Sequence, residues 1–457
     1  MKEFDAIVIG AGSGLDVASA YASRGKDVAV IEPGPLGGTC LNRGCIPSKM
    51  LIHHADIVQE VKGSEKFHID AEVNDIDFEA IVKEVNEEVH EDSENIRKGI
   101  EDSDHHTLYR TEAEFVDNKT LDVSGADHEE DEIAAEKIIV AAGTRPFVPP
   151  IDGIEDVEYM TSKEALELEE KPDDMVVIGG GYISNELAHF FDAMGIEITI
   201  LERSDTLLGH EDQEVSEKYT EIAEERFDVH TGFSASEVSH DGDRIEVVAE
   251  KKDGETREFE ADELLVAAGR VPNTEKLKVE NTDIETNDRG FIEVDEYMNT
   301  SVDHIYALGD IVGQHPFKHA ANKEANVALI NSFVGNKREI DYTAMPHAVF
   351  SSPQIAGVGK TEQQLEEEDA DYRKATYDYR NTGMGMALKE EDGFVKVLAS
   401  VDGDILGCHI IGPHASQQIH EVLVSMKAGS GNVSDIQDTI HIHPALNEVV
   451  QRAFNQL

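Results

Sequence analysis

The feature that most constrains the fold is an apolar strand, a glycine turn, a helix and a second strand that follow one another at the N-terminus. The stretch FDAIVIGAGSG leads from a strand into Gly10, Gly12 and Gly14, and the strand DVAVIE then ends at Glu32. Glycines let a backbone approach a pyrophosphate, the helix N-terminus offers partial positive charge, and a carboxylate accepts hydrogen bonds from ribose hydroxyls. This order predicts a βαβ unit that binds a dinucleotide.

The same outline occurs again in MVVIGGGYISNELAHFFDAMGIEITILE, with Gly179 and Gly181 in the turn and Glu202 ending the second strand. A near-identical apolar strand follows each copy, IIVAAGTRP at 138–146 and LLVAAGRVP at 264–272. One glycine fingerprint alone could mark only a tight turn. Two fingerprints in the same context predict two dinucleotide sites.

Each copy departs from the usual fingerprint at its third position, where a glycine normally lets the helix pack closely on the strand. Leu15 holds this position in the first copy, and Ser184 holds it in the second. We expect slightly wider packing at Leu15 but an intact first site, because Gly10, Gly12 and Gly14 remain.

The charge balance is extreme, with 39 Lys and Arg against 95 Asp and Glu and a formal net charge of −56. Such a surface repels nucleic acids and anionic membranes, which argues against both as partners. Self-repulsion on this scale is tolerable where salt shortens the Debye length to roughly 3 Å, so we expect the protein of a halophile. The acidic runs HEEDE (128–132) and EEEDAD (366–371) are expected to be solvated, with a cation site as the alternative.

Length and hydropathy bound the class of protein. The 457 residues, 40% of them hydrophobic, suffice for several domain cores. No apolar run reaches the roughly 18 residues of a membrane span, and MKEFDAIVIG enters a strand without a secretory segment. We therefore expect a cytoplasmic protein without a membrane partner.

Two of the three cysteines, Cys40 and Cys45, lie five positions apart in GGTCLNRGCIPSKM. In a reducing cytoplasm such a pair is more often redox-active or metal-binding than a structural disulfide. A metal site would need His53 and His54, whose spacing fits no common zinc pattern; two core thiols are the other alternative. The redox interpretation is favoured, because the glycine before Cys45 allows the bend that brings the thiols together. The third cysteine, Cys408, is expected to be a core residue.

The C-terminal stretch HIHPALNE holds a candidate acid/base. Pro444 suits the first turn of a helix, which places His443 before it and Glu448 in the next turn, close enough to orient an imidazole. A histidine at a helix cap is the alternative. Because thiol–disulfide exchange needs a group that holds a proton near neutral pH, the pair is predicted to be that acid/base.

The chain resembles the pyridine nucleotide-disulfide oxidoreductases in motifs that occur in the family's order. They are GGTCLNRGCIPSK, the two fingerprints, TSVDHIYALGD (300–310), VFSSPQIAGVGKTE (349–362) and HPALNE (443–448). The resemblance implies an α/β fold like that of glutathione reductase, with two Rossmann-like dinucleotide-binding domains and a C-terminal α+β dimerisation domain. It further implies a homodimer with FAD and a redox disulfide in each subunit.

The resemblance also implies the division of the chain into domains. An FAD-binding domain at 1–148 contains the redox helix near 40–50, and an NAD(P)-binding domain follows at 149–268. A central domain at 269–338 completes the FAD site, and 339–457 form the interface domain.

Catalytic roles carry over by position in the matching motifs. Cys45 matches the thiol that faces the flavin, and Cys40 matches the thiol that attacks the substrate disulfide. His443, supported by Glu448, matches the acid/base that the other subunit supplies. The resemblance thus implies hydride transfer from a nicotinamide to the flavin, reduction of the cysteine pair, and exchange with a substrate disulfide.

Cofactor contacts carry over in the same way. Lys49 and Glu186 match an ion pair beside the flavin, Asp310 matches the carboxylate that binds the FAD ribityl chain, and Glu32 would hold the adenosine ribose. Further FAD contacts are implied for Gly10, Gly12, Gly14, Gly38, Thr39, Gly143, His319 and Ala320. Nicotinamide-nucleotide contacts are implied for Gly179, Gly181, Tyr182, Ile183, Glu202, Arg203 and Gly269.

Within the family, the chain most resembles the mycothione reductases, in YRTEAEF (109–115), HAANKEANV (319–327) and HPALNEVV (443–450). Mycothiol belongs to actinobacteria, which lack this acidity, whereas extreme halophiles use γ-glutamylcysteine. We therefore expect NAD(P)H-dependent reduction of bis-γ-glutamylcystine in cell redox homeostasis. The alternative is a dihydrolipoamide dehydrogenase that uses NAD.

The choice of nicotinamide nucleotide depends on the end of the second fingerprint. Glu202 would bind the ribose 2′-OH of NADH and repel a 2′-phosphate. Arg203 and Ser204 follow it directly, an Arg-Ser pair that resembles members using NADPH, and high salt screens the repulsion. We expect NADPH, with NADH as the alternative.

Overall fold

The computed structural model describes residues 1–125, 131–242, 244–334 and 337–457. The start of the acidic run HEEDE, at 128–130, lies outside the described residues, whereas EEEDAD is exposed at all but one position. The helices are α1 (Gly14–Ala22), α2 (Gly38–Arg43), α3 (Cys45–Lys62), α4 (Phe78–Glu101), α5 (Ser162–Leu166), α6 (Tyr182–Ala193), α7 (Gln213–Glu224), α8 (Lys318–Leu329), α9 (Glu362–Glu367), α10 (Gly383–Leu388), α11 (Ala415–Ala428), α12 (Ser434–Gln437) and α13 (Glu448–Phe454).

The strands fall into separate sheets. They are β1 (Lys2–Ile9), β2 (Val28–Ile31), β3 (His106–Tyr109), β4 (Glu114–Phe115), β5 (Thr120–Asp122), β6 (Glu132–Val140), β7 (Thr144–Pro146), β8 (Asp174–Ile178), β9 (Glu197–Glu202), β10 (Asp228–Thr231), β11 (Phe233–Asp241), β12 (Arg244–Lys251), β13 (Thr256–Ala261), β14 (Glu263–Val266), β15 (Arg270–Pro272), β16 (Ile305–Ala307), β17 (Pro346–Val349), β18 (Ile355–Gly359), β19 (Tyr372–Asp378), β20 (Phe394–Ser400) and β21 (Ile405–Ile411).

One compact unit comprises 1–48, 83–147 and 269–341. Its main sheet has the strand order β3-β2-β1-β6-β5-β4, and β16 also pairs with β6. The pairings among β1, β2, β3, β6 and β16 are parallel, whereas β4 and β5 add an antiparallel edge. Every residue of β2 is buried, because strands of a covered parallel sheet have two buried faces. The first glycine turn therefore lies at the carboxyl end of β1, where open α/β sheets bind ligands.

The other unit comprises 49–82, 148–268 and 342–457. It contains a parallel sheet of order β10-β9-β8-β14 and an antiparallel sheet β11-β12-β13. A second antiparallel sheet has the order β17-β18-β21-β20-β19. Helices α11 and α13 pack on this last sheet, and Cys408 on β21 is fully buried, as predicted.

The α/β fold class is confirmed by the two parallel sheets that carry β1-α1-β2 and β8-α6-β9. The sequence division at 148, 268 and 338 stays a prediction. Among the described residues, no helix combines the length and the apolar character that crossing a membrane requires.

The predicted helix start at Pro444 is wrong, because α13 begins at Glu448. The Glu448 carboxylate accepts the Ala445 N–H at 3.4 Å, which holds the preceding residues in a turn. Helical backbone therefore begins only after the segment that carries His443.

Candidate redox and nucleotide-binding site

In the first glycine loop, backbone segments lie too close together to leave room for side chains. Gly10 has φ +101°, and a Cβ there would lie 2.3 Å from the Ala141 carbonyl oxygen. A Cβ on Gly14 would lie 2.8 Å from Val8 Cγ1, so this glycine makes the close helix-to-strand approach in a fingerprint with Leu15 at its third position. A Cβ on Gly38 would lie 2.6 Å from the Gly12 Cα. The two loops thus form a cradle that side chains would fill.

Backbone N–H groups of two other residues hold the Glu32 carboxylate beside this cradle. Its Oε2 accepts the Ala11 N–H at 3.0 Å, and its Oε1 accepts the Gly34 N–H at 3.0 Å. Each carboxylate oxygen keeps acceptor capacity for a ribose hydroxyl. A glycine cradle beside a fixed carboxylate fits the adenosine and pyrophosphate of a dinucleotide such as FAD.

The second glycine loop repeats this design. A Cβ on Gly179 would lie 2.6 Å from the Ala267 carbonyl oxygen, whereas one on Gly181 would meet nothing within 4 Å. Glu202 accepts the Gly180 N–H at 2.6 Å and the Ser204 N–H at 2.7 Å. The two acidic residues therefore hold equivalent positions in their loops.

The other predicted nicotinamide-nucleotide residues surround this loop or follow its strands. Tyr182, the first residue of α6, is 42% exposed, and Ile183 is half-buried. Arg203 is exposed directly after β9. Gly269 has φ +125°, and a Cβ there would meet nothing within 4 Å. An exposed aromatic ring and an exposed guanidinium are thus available to a ligand on this loop.

Asp310, the predicted ribityl contact, is held by a hydrogen-bonded threonine. The Thr144 hydroxyl donates to its carboxylate at 3.2 Å, and Arg270 Nε donates to the same hydroxyl at 2.8 Å. Gly143, just before Thr144, has φ +64° and open space on its Cβ side. At the start of α8, the His319 ring stacks on Phe317 and Ala320 is buried, while Thr39 is exposed on α2.

The two cysteines of the predicted pair lie on different helices, with Gly44 between them. Cys40 is half-buried on α2, and Cys45 is exposed as the first residue of α3. A Cβ on Gly44 would lie 2.9 Å from the Thr39 carbonyl oxygen, so the tight bend requires glycine. Their exposure rules out two core thiols, and the partial positive charge at a helix N-terminus stabilises a thiolate.

One turn after Cys45, Lys49 donates to Glu186 Oε2 at 2.6 Å. Glu186 is 5% exposed, and its Oε1 accepts the Phe350 N–H at 2.9 Å. The Lys49 ammonium also lies 4.8 Å from the centre of the Phe350 ring. The carboxylate thus fixes the ammonium from a position closed to solvent.

His443 and Glu448 form the predicted contact. The imidazole Nδ1 is 3.0 Å from both Glu448 oxygens, so Nδ1 donates and Nε2 is left as the working nitrogen. The His443 side chain is 75% exposed and that of Glu448 is 8% exposed. The hydrogen bond from His443 lowers the pKa of Glu448, which keeps the carboxylate charged beside the histidine.

Sequence reasoning missed several polar groups around these loops. Lys318 Nζ donates to the Ser13 hydroxyl at 2.8 Å, and this hydroxyl donates to Asn322 Oδ1 at 2.9 Å. The buried Glu324 carboxylate accepts the Gly309 N–H at 2.6 Å. The partners of Lys318, Asn322 and Glu324 lie far away in sequence or are backbone atoms, so no local pattern identifies these three side chains. All three nevertheless occur in the stretch KHAANKEA.

Comparison with protein families and curated proteins identifies relatives of the whole chain. Residues 4–328 match the pyridine nucleotide-disulphide oxidoreductase family, and residues 345–454 match its dimerisation domain. Mycothione reductase of Mycobacterium tuberculosis is 34% identical over 99% of both chains. Dihydrolipoyl dehydrogenase of Geobacillus stearothermophilus is 38% identical over 99% of this chain and 95% of that protein.

A solved structure gives the same result. The Cu(II) complex of the HOCl-induced flavoprotein disulfide reductase RclA from Escherichia coli superposes with a TM-score of 0.87. It is 29% identical and covers 100% of both chains. The predicted fold, two dinucleotide-binding units followed by a dimerisation domain, is thereby confirmed.

Proposed function

This chain belongs to the pyridine nucleotide-disulphide oxidoreductases, and from that membership we propose that it reduces bis-γ-glutamylcystine to two molecules of γ-glutamylcysteine. It is an oxidoreductase of the flavoprotein disulfide reductase type, using FAD and NAD(P)H, with a dimerisation domain typical of homodimers. The observation that carries the proposal is the pairing of Cys40 and Cys45, on either side of the bend at Gly44, with a His443–Glu448 acid/base in one chain.

We assign the thiols unequal tasks. FAD, when bound, passes the two electrons of the nicotinamide nucleotide to the Cys40–Cys45 disulfide. The Cys40 thiolate then attacks one sulfur of the substrate disulfide, forming a mixed disulfide and releasing one thiol, which His443 Nε2 protonates. The Cys45 thiolate attacks Cys40 Sγ, so the intramolecular disulfide forms again and the second product leaves as a thiolate, which takes a proton from His443 Nε2 once solvent has reprotonated that nitrogen.

The supporting residues keep charge and protons in place for this sequence. Lys49, fixed by Glu186, supplies positive charge near the position proposed for the flavin. Glu448 holds the His443 imidazole with its Nδ1 proton inward. We propose that His443 serves the active site of the other subunit, which its 75% exposure in a single chain allows.

The substrate is proposed from charge and resemblance. A net charge of −56 favours a salt-rich cytoplasm. One relative is named mycothione reductase, which is the name of an enzyme that reduces the disulfide of a small thiol. The second candidate is dihydrolipoamide dehydrogenase activity, favoured by the 38% identity to the Geobacillus dihydrolipoyl dehydrogenase.

NADPH is proposed as the reductant. Arg203 is exposed directly after Glu202 and can reach a 2′-phosphate, while Glu202 already accepts two backbone N–H groups that partly neutralise it. Initial rates with NADPH and NADH in molar KCl test this choice, and a clear preference for NADH would overturn it.

The function is tested with purified holoenzyme in molar KCl and a panel of bis-γ-glutamylcystine, glutathione disulfide, cystine and lipoamide. We expect the fastest turnover with bis-γ-glutamylcystine, and a long-wavelength absorbance band when NADPH reduces the enzyme. Cys45→Ser should lose the band and the turnover, whereas Cys408→Ser, at a fully buried position, should keep the band. Turnover of lipoamide alone would establish the second candidate instead.

A further inference from the structure

A second histidine–carboxylate pair lies two residues before His443. His441 Nε2 is 3.1 Å from Glu421 Oε2 on α11, and His441 Nδ1 is 3.0 Å from the Thr439 carbonyl oxygen. The His441 side chain is 6% exposed, in contrast to that of His443. This imidazole therefore faces the protein interior and does not reach a ligand.

The partners of His441 fix where its protons are. A carbonyl oxygen only accepts, so Nδ1 carries a proton and donates it to Thr439. The Nε2 nitrogen and the Glu421 oxygen then need one further proton between them, bound to the imidazole or to the carboxyl group. The pair consequently holds one proton more than a neutral histidine beside a carboxylate.

The surroundings of the pair favour retention of this proton. Burial raises the pKa of Glu421, and the charge and hydrogen bond of His441 oppose this rise without cancelling it. The titratable groups that face Glu421 are His441 on the loop and the thiol of Cys408 on β21. Apart from His441 itself, none of these neighbours is a cation that would favour loss of the shared proton.

The contacts of the pair fix the start of the segment that carries His443. The Thr439 carbonyl accepts Gln451 Nε2 from α13 at 3.0 Å as well as the His441 proton. The Glu421 carboxylate anchors His441, at the start of the segment, through its Oε2 oxygen. The position of the exposed imidazole thus depends on a carboxylate that does not touch it.

We propose that Glu421 and His441 are positioning residues for the acid/base His443, and that their shared proton holds the start of the segment 441–447 in place. This inference rests on the proposed function, since His443 acts only if the enzyme exchanges a disulfide. Loss of the shared proton at alkaline pH removes the bond from Nε2 to Glu421. Disulfide exchange should therefore slow as that proton dissociates, in addition to any loss from His443 itself.

The test compares Glu421→Ala with Glu421→Gln in the holoenzyme. Glu421→Ala should slow reduction of the disulfide substrate by about 10- to 100-fold, the cost of a misplaced catalytic group, while NADPH still reduces the enzyme at the wild-type rate. Glu421→Gln should restore the rate near neutral pH, because its amide N–H donates to Nε2 without a titrating proton. At alkaline pH, the disulfide-reduction rate of Glu421→Gln should fall with the loss of one proton, whereas the wild-type rate should fall with the loss of two.

A second readout separates this inference from the proposed function. Iodoacetamide alkylation of Cys40 in dithiothreitol-reduced enzyme reports the thiolate that His443 stabilises, and it needs no turnover. If the wild type reduces no disulfide, the proposed function fails, and an unchanged alkylation profile in Glu421→Ala would separately overturn the positioning role.

The matched control is Asp27→Ala, which removes the carboxylate of the exposed His105–Asp27 pair. It should leave both half-reactions and the alkylation profile unchanged. A wild-type rate and pH profile in Glu421→Ala would overturn the proposal, as would a two-proton alkaline limb in Glu421→Gln. The glutamine variant decides the question even where the alanine variant fails to fold.

Discussion

At the residue scale, Ser184 puts a buried hydroxyl group at the third position of the second glycine fingerprint. Its side chain is fully buried on α6, and its hydroxyl has no hydrogen-bond partner among the described residues. The Gly180 carbonyl one turn earlier instead accepts Asn185 Nδ2 at 2.9 Å. The hydroxyl therefore bears a desolvation penalty without compensation.

Ser184→Ala should raise the free energy of unfolding by about 1 kcal/mol, because it removes a buried group that makes no hydrogen bond. Thermal unfolding of the holoenzyme without nicotinamide nucleotide measures the change. Ser216→Ala is the matched control, since the buried Ser216 hydroxyl donates to the Leu208 carbonyl at 2.9 Å, and it should destabilise. Equal destabilisation by both variants would show that Ser184 has a partner such as bound water.

Gly38 joins the two loops of the proposed FAD cradle at a close backbone contact. Its φ is +69°, and a Cβ would meet the Gly12 Cα at 2.6 Å, so Gly38→Ala must separate the two loops. We expect the purified variant to contain less FAD and to lose about 1 to 3 kcal/mol of stability from backbone strain. Absorbance of bound flavin per protein gives the first value.

Gly99→Ala provides the comparison for Gly38→Ala. Gly99 lies inside α4, and a Cβ there would meet nothing within 4 Å. Because alanine favours the helix by about 1 kcal/mol over glycine, this variant should gain stability and keep its FAD. Full flavin content in Gly38→Ala would contradict the proposed position of the pyrophosphate.

At the element scale, a buried lysine joins α7, α9 and the C-terminal sheet. Lys396 on β20 is 1% exposed, and its Nζ donates to Asp212 at 2.8 Å, Glu214 at 3.0 Å and Glu362 at 2.6 Å. Asp212 also caps α7 through the Glu214 N–H. A single ammonium therefore compensates carboxylates from two helix starts.

Lys396→Met should cost about 3 to 5 kcal/mol, because it leaves buried carboxylates without their cation. Lys374→Met is the control: this lysine also contacts Glu362, but its side chain is 49% exposed, so its loss should cost less than about 1 kcal/mol. Denaturant unfolding in molar KCl measures both. Similar losses in the two variants would show that Lys396 is hydrated in solution.

The same cluster predicts that the free energy of unfolding decreases at acidic pH. Burial raises the pKa of Glu362, but hydrogen bonds from Lys374, Lys396 and Tyr372 outweigh it and lower the pKa to about 2, below its ordinary value of 4.5. A depressed folded-state pKa gives stability that is present above pH 4.5 and is lost as pH falls toward 2. The difference in unfolding free energy between wild type and Glu362→Gln should therefore shrink between these pH values, and a constant difference would contradict the coupling.

The elements show which parts of this protein are readable from sequence. Both βαβ units and the acidic residue of each were predictable, because strand, turn and helix follow within one local pattern. The start of α13 was predicted wrongly, since the Glu448 side chain holds the turn before it. Lys396 and Glu421 gave no signal, because their partners lie 20 or more residues away and no periodicity links them.

At the scale of the whole molecule, charge dominates. The 95 acidic residues exceed the 39 basic ones by 56, so 56 acidic residues are left over when each Lys or Arg is matched with one of them. Their repulsion reaches about 30 Å in very dilute salt but only about 3 Å at molar ionic strength. We therefore expect the folded state, and still more a dimer of two such chains, to depend on screening by salt.

We expect the unfolding temperature to fall, the dimer to dissociate and the bound FAD to be released as KCl is lowered from molar concentration to dilute buffer. Thermal unfolding, light scattering and flavin fluorescence follow the three properties on one sample. Sucrose at matched water activity distinguishes screening from general stabilisation, because it strengthens burial without shortening the Debye length. Recovery in KCl but not in sucrose would establish screening as the cause. Equal stability in dilute buffer and molar KCl would instead show that the acidic surface is not an adaptation to salt, which would remove the main argument for γ-glutamylcysteine as the thiol.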